Sequence, residues 1–176
     1  MKRIITSLLL LALLVLPLAA RPSSIAVGAQ LGFTSTGVVG DFEFGPIAID
    51  VGANFPAGIA YIKDLSDGDD WGVLDSVFTM TGGVSYPLSL GEYFSLKLGV
   101  GTTLFTDFKN PLVLGFAGPI IKGEYWIPNS SFGLFAKLEV PVFIYAIGEG
   151  EAATGFDPHL PILGIFTSTF GVLYAL

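Results

Sequence analysis

The stretch IAVGAQLGFT, residues 25–34, alternates without a break. Ile25, Val27, Ala29, Leu31 and Phe33 fall on one side of an extended chain. Ala26, Gly28, Gln30, Gly32 and Thr34 fall on the other. Successive side chains of a strand point to opposite faces, so this strand has one apolar face and one small or polar face. Composition decides which face is outside. The chain is 52% hydrophobic and only 13% charged, where soluble domains carry roughly 25% charged residues. Beyond the N-terminal segment no apolar run approaches the roughly 18 residues of a spanning helix. The 23 glycines and 11 prolines are scattered and would break one. Inside a bilayer only helices and closed barrels satisfy their backbone hydrogen bonds. The pattern therefore predicts an all-β, antiparallel, up-and-down transmembrane β-barrel, apolar outside and polar within.

The same alternation recurs along the chain. Val38 to Phe44 places Phe42 and Phe44 outward and Asp41 and Glu43 inward. After Gly45-Pro46 the apolar phase flips to Ile47, Ile49, Val51, Ala53 and Phe55, with Asp50, Gly52 and Asn54 inward. A bulge would produce the same flip and leave seven strands. A turn gives eight, and single-chain bacterial barrels have even numbers. Further strands are expected over Leu74–Tyr86, Tyr93–Phe105, Leu112–Trp126, Phe132–Tyr145 and Leu160–Leu176. In the seventh, Val140, Val142 and Ile144 continue the outward face, and Phe135, Phe143 and Tyr145 point inward, as does Phe105 in the fifth. The facing of the sixth is ambiguous. Two long acidic connections, Pro56–Gly72 with Asp64, Asp67, Asp69 and Asp70, and Ile147–His159, fall at one end. Short turns near Gly45, Leu90 and Asn129 fall at the other. Tyr86, Tyr93, Phe94, Tyr125, Trp126, Phe132 and Tyr174 gather at the turn end as an aromatic girdle.

The N-terminus reads as an export signal over residues 1–20, with the barrel over 21–176. Lys2 and Arg3 precede an apolar run from Ile4 to Leu18, and Ala19-Ala20 suits cleavage. Lys2 and Arg3 leave with that signal, so six basic residues remain against fifteen acidic ones. That balance excludes nucleic acid as a partner. Without cysteine there is no disulfide frame and no thiolate site.

Thr169, Gly171, Tyr174 and Leu176 fit a polar-x-glycine-x-x-apolar-x-apolar pattern. This is similar to the terminal signal that outer-membrane barrels present to their assembly machinery, although Leu176 stands where an aromatic is usual. Topology, girdle and terminal pattern together resemble the small eight-stranded outer-membrane proteins of the OmpX type, the barrel half of OmpA and the OmpW family. The resemblance spans the whole mature chain and rests on no family-defining motif. It implies an integral outer-membrane protein with both termini periplasmic, with membrane lipid and the assembly machinery as partners. With no second domain in the sequence, the peptidoglycan anchor of full-length OmpA is not expected.

An eight-stranded barrel is just wide enough for side chains to fill. Asp41, Glu43, Asp50, Lys97, Lys137 and Glu139 are expected inside as a lumen charge network, joined by Lys122 and Glu124 if the sixth strand faces that way. Such a network either fills the barrel or gates a narrow polar path. Pro119 and Pro141 lie at one height on a single hairpin, and proline cannot donate to a ladder. They mark a candidate lateral opening, the alternatives being a simple bulge or a strand section above the membrane. The OmpW resemblance implies passage of small apolar molecules through such a defect. The competing expectation is a plugged structural or surface-interaction barrel with exposed acidic loops. A soluble lipocalin-like barrel would need its apolar residues inside. The Asp64–Asp70 loop lacks calcium-loop spacing and His159 has no neighbouring nucleophile, so no metal, cofactor or enzymatic activity is expected.

Overall fold

The structure is a computed structural model that describes residues 21–65, 77–106, 112–148 and 151–176. The expected signal peptide, and Asp67, Asp69 and Asp70 of the first acidic loop, lie outside the described residues. The elements are β1 (Ile25–Gly32), β2 (Thr36–Phe44), β3 (Ile47–Phe55), α1 (Ala57–Leu65), β4 (Phe78–Ser89), β5 (Phe94–Thr106), β6 (Leu112–Trp126), β7 (Phe132–Glu139), β8 (Phe143–Gly148) and β9 (Glu151–Phe156). A 3-10 turn (Leu160–Leu163), a helical turn α2 (Gly164–Thr167) and β10 (Thr169–Ala175) complete the chain. Strands β1 to β7 pair in chain order; β7 pairs with β10, and β10 returns to β1. All pairings are antiparallel, and they close an eight-stranded barrel.

Gly45-Pro46 is a two-residue hairpin loop. Phe44 pairs with Ile47, so an even outward position meets an odd one, which is the phase flip visible in the sequence. Gly45 takes a φ of +60°, the positive angle that primed hairpin turns need at their first central residue. The other positive-φ residues among those described are Gly91 and Asn129. Each of the three turns at this end thus carries one residue type that tolerates the left-handed region.

The barrel is inside-out relative to a soluble one. Among the described residues nineteen polar or charged side chains are buried against ten hydrophobic ones. Val27, Leu31, Val51, Val84, Val100, Leu134 and Leu138 stand exposed on the outer wall. A lipocalin-like interior would reverse that distribution.

The structure corrects the sequence reading in the last third of the chain. The seventh strand is β7 followed by β8, with one extra residue between them. From Glu139, paired with Ile120, to Phe143, paired with Ala117, β7–β8 takes four steps while β6 takes three. That is a β-bulge. It reverses the facing beyond Pro141: Phe143 is 50% exposed on the outer wall, and the Tyr145 hydroxyl meets outward Thr102 Oγ1 at 2.6 Å. Both had been expected inside. The second acidic connection contains β9, which extends the wall as a hairpin with β8. The eighth strand is only β10, because Leu160–Thr167 is helical. The start of the first long connection is α1 rather than loop. Trp126 leaves the girdle: it points inward and is 1% exposed. His159 lies just before the 3-10 turn, where its N–H donates to Asp157 Oδ1 at 2.8 Å.

Candidate functional site

At the turn end the interior is a single ion network. Inward positions alternate with outward ones along β2, β5 and β6, so Asp41 and Glu43, Lys97, and Lys122 and Glu124 converge from three strands. Asp41 is the hub. Its Oδ1 accepts from Lys97 Nζ at 2.8 Å, and its Oδ2 accepts from Lys122 Nζ. Lys97 also lies 2.9 Å from Glu43 and 2.8 Å from Glu124, and Lys122 lies 2.9 Å from Glu124. The facing of β6, ambiguous in the sequence, is thereby resolved: Lys122 and Glu124 belong inside.

Arg21 completes the network, and the sequence reading missed it. It precedes β1, outside any strand whose alternation could place it. Its Nη1 donates to Asp41 Oδ1 at 2.5 Å and to Glu43 Oε1 at 3.0 Å, and its Nη2 donates to the Asp41 carbonyl at 3.1 Å. The guanidinium lies 5.4 Å from the Trp126 ring centroid, within cation–π range. Burial works against this charge, but Asp41, Glu43 and Glu124 outweigh it and hold the Arg21 pKa above its ordinary value. Arg21 and Trp126 together stopper the turn-end mouth. Behind them Lys122 Nζ sits 4.7 Å from the Phe135 ring centroid.

The remaining expected lumen charges sit higher. Lys137 Nζ pairs with Asp50 Oδ2 at 2.9 Å. Glu139 Oε2 accepts from Thr103 Oγ1 at 3.0 Å. Between the lower network and this level, Ile120 is 2% exposed and lies over Gly83 and Gly101, whose missing side chains make room for it.

Pro119 and Pro141 do not separate their strands. Val140 N–H donates to the Pro119 carbonyl and Val142 N–H to the Ala117 carbonyl, each at 2.9 Å. On the other edge of β6, Val100 pairs with Pro119 in an unbroken register. Pro141 falls in the bulge, which absorbs its missing donor. The wall changes character instead on the far side of Pro141. There β10 stops at Thr169, and α2 and the 3-10 turn replace it, with Ser168 Oγ donating to the Gly164 carbonyl.

Of the terminal pattern, Thr169 is buried inward, and Tyr174 faces out against Phe132 with ring centroids 5.1 Å apart. Gly171 pairs with Gln30 of β1 and Phe135 of β7. Leu176 is 66% exposed, and its N–H donates to the Ile25 carbonyl at 3.0 Å. These residues form the seam that closes the barrel. In comparisons with protein families and with curated proteins, the chain matches no family model and no curated protein.

Proposed function

We propose that this chain is an integral outer-membrane β-barrel protein, shut at its periplasmic half, that acts through the loops and the β8–β9 hairpin at its outer end. One observation carries the reading: Asp41, Lys97, Lys122, Glu124 and Trp126, each 1% exposed, fill the cross-section at the turn end. The apolar outer wall supports placement in lipid, because charge is costly on that face and the wall carries almost none. The export signal and the seam pattern support delivery by the barrel-assembly machinery, and the loop lengths support periplasmic termini. Purified protein refolded in detergent should migrate differently on gels before and after heating. In planar bilayers it should give no stable conductance steps. Steps that change size in Lys97→Ala or Lys137→Ala would overturn the plugged reading and establish a polar path.

A second reading, sideways passage of small apolar molecules, is favoured by one specific feature. Next to Pro141 the wall is built from Leu160–Thr167 rather than from a strand, and Ile162 and Ile165 are 75% and 77% exposed there. A groove of about 880 Å³ with an apolar lining runs from Gly32, Phe33 and Ile165 down the outer wall to Phe94 and Tyr125. Faster entry of an apolar dye into proteoliposomes than into empty liposomes, lost when Ile165 is replaced by Asp, would establish this route. Equal entry would remove it.

A further inference from the structure

The link between β9 and the 3-10 turn holds a reactive group that the barrel does not use. Phe156, the last residue of β9, pairs with Phe143, and Asp157-Pro158-His159 follows. The Asp157 N–H donates to the Val142 carbonyl at 3.2 Å, which ties the residue to the wall. The Asp157 carbonyl accepts the Leu160 N–H, also at 3.2 Å. His159 has φ −90° and ψ −16°. Those angles, the proline in second place and the bond from the fourth residue back to the first make residues 157–160 a type I turn. Pro158 and His159 are exposed.

Two contacts in this turn bear on the Asp157–Pro158 peptide bond. The His159 N–H donates to Asp157 Oδ1 at 2.8 Å, so the carboxyl is folded back over its own main chain. The Leu160 N–H holds the carbonyl oxygen of the same bond. A donor there stabilises the charge that the oxygen gains when its carbon is attacked. The bond itself is of a weak kind. A proline nitrogen carries no hydrogen; it is more basic than an ordinary amide nitrogen and leaves more readily once protonated. Of the flanking elements, β8 offers Tyr145, β9 offers Glu151 at its far end, and β7 ends at the buried Glu139. The 3-10 turn and α2 carry no titratable side chain. His159 is thus the one basic group beside the carboxyl on these elements, and no lysine or arginine there holds it ionised.

We propose that the Asp157–Pro158 bond is a self-cleavage site. One oxygen of the protonated Asp157 carboxyl adds to the carbonyl carbon of the same residue. The C–N bond to Pro158 then breaks, and the nitrogen leaves with the carboxyl proton. Asp157 remains as a five-membered cyclic anhydride, which water opens to two carboxyl groups. The sum is hydrolysis of one peptide bond by one water, with nothing oxidised or reduced. Attack within a single residue needs no second molecule to be positioned. β10 stays paired with β1 and β7. The barrel therefore persists as two chains, and Leu160–Thr167 loses its covalent tie to β9.

The full chain, refolded in detergent and held at mildly acidic pH and physiological temperature, is followed by intact mass. A fragment of residues 158–176 should accumulate. The folded protein should release it roughly tenfold faster than the same protein unfolded in urea, because only the fold orients the carboxyl. Asp157→Glu, whose attack needs a larger ring, should abolish the reaction. Pro158→Ala, with an ordinary amide nitrogen, should slow it sharply. Equal rates in the folded and unfolded protein would overturn the proposal, leaving a turn whose bond breaks no faster than in any chain. An undiminished rate in Asp157→Glu or Pro158→Ala would also overturn it, since neither the carboxyl nor the proline would then matter. Should the variants fail to refold, the comparison of folded with unfolded wild type decides alone.

Discussion

Asp41 contacts three cations, Arg21, Lys97 and Lys122, and no carboxylate in the described interior contacts more. Removing one partner of a buried ion pair strands the others, at a cost of about 3–5 kcal/mol. Asp41→Asn should therefore lower the unfolding free energy by about that amount, measured by urea titration in detergent. Arg21→Ala tests the stopper. It leaves Asp41 with two lysines, so the stability loss should be smaller than that of Asp41→Asn. Its specific effect should be quenching of Trp126 fluorescence by acrylamide from the turn end; unchanged quenching would argue against a stopper. How much of this site was legible depended on alternation. Asp41, Glu43, Asp50, Lys97, Lys137 and Glu139 sit among apolar neighbours at period two, and their facing could be read directly. Arg21 could not be placed, because four residues ahead of a strand carry no period.

At the scale of the element, the bulge at Val140–Val142 is the informative feature. A phase change is visible only where polar residues mark it. At Gly45-Pro46, Glu43 and Asp50 stand on either side and fix both phases. From Val140 to Ile144 every residue is apolar, so the extra residue leaves no trace in the sequence, and alternation alone puts Phe143 and Tyr145 on the inner face. Leu160 to Phe166 failed for a related reason: a short, wholly apolar run does not distinguish strand from helix. The bulge also places a demand on β6. A Cβ built on Gly118 would lie 1.9 Å from the Val140 carbonyl oxygen, where no side chain fits. Gly118→Ala should destabilise the barrel by about 1–3 kcal/mol through overpacking. Gly123→Ala, on the same strand but facing out with its nearest neighbour at 3.5 Å, should be tolerated. Paired urea midpoints test the contrast, and equal midpoints would mean that the bulge yields.

For the whole molecule, the fold class was legible because the outer face is apolar on the strands of the barrel while the buried positions are mostly polar or small. The count of eight turned on a single dipeptide, and the Gly45 turn resolves it. The plugged interior leads to a prediction at this scale. The double variant Arg21→Ala, Trp126→Ala removes the stopper but keeps Lys97, Lys122, Asp41 and Glu124 paired, so bilayer conductance should stay at baseline. Conductance appearing in that variant would show that the stopper, and not the network behind it, is the barrier.

The seam where β10 meets β1 sets the order of assembly. The carboxylates of β2 and the lysines of β5 and β6 belong to strands on different sides of the lumen, and a sheet must curl before they meet. An open sheet would hold these ions against an apolar surface without their partners, at a cost in any low-dielectric surrounding. Charge burial and ring closure are therefore one event, and closure waits for the final strand of the chain. Contacts so distant in sequence make folding slow, and they leave few stable stopping points on the way. The protein is expected to gain its stability late and nearly all at once, so that a half-built barrel has little to hold it together.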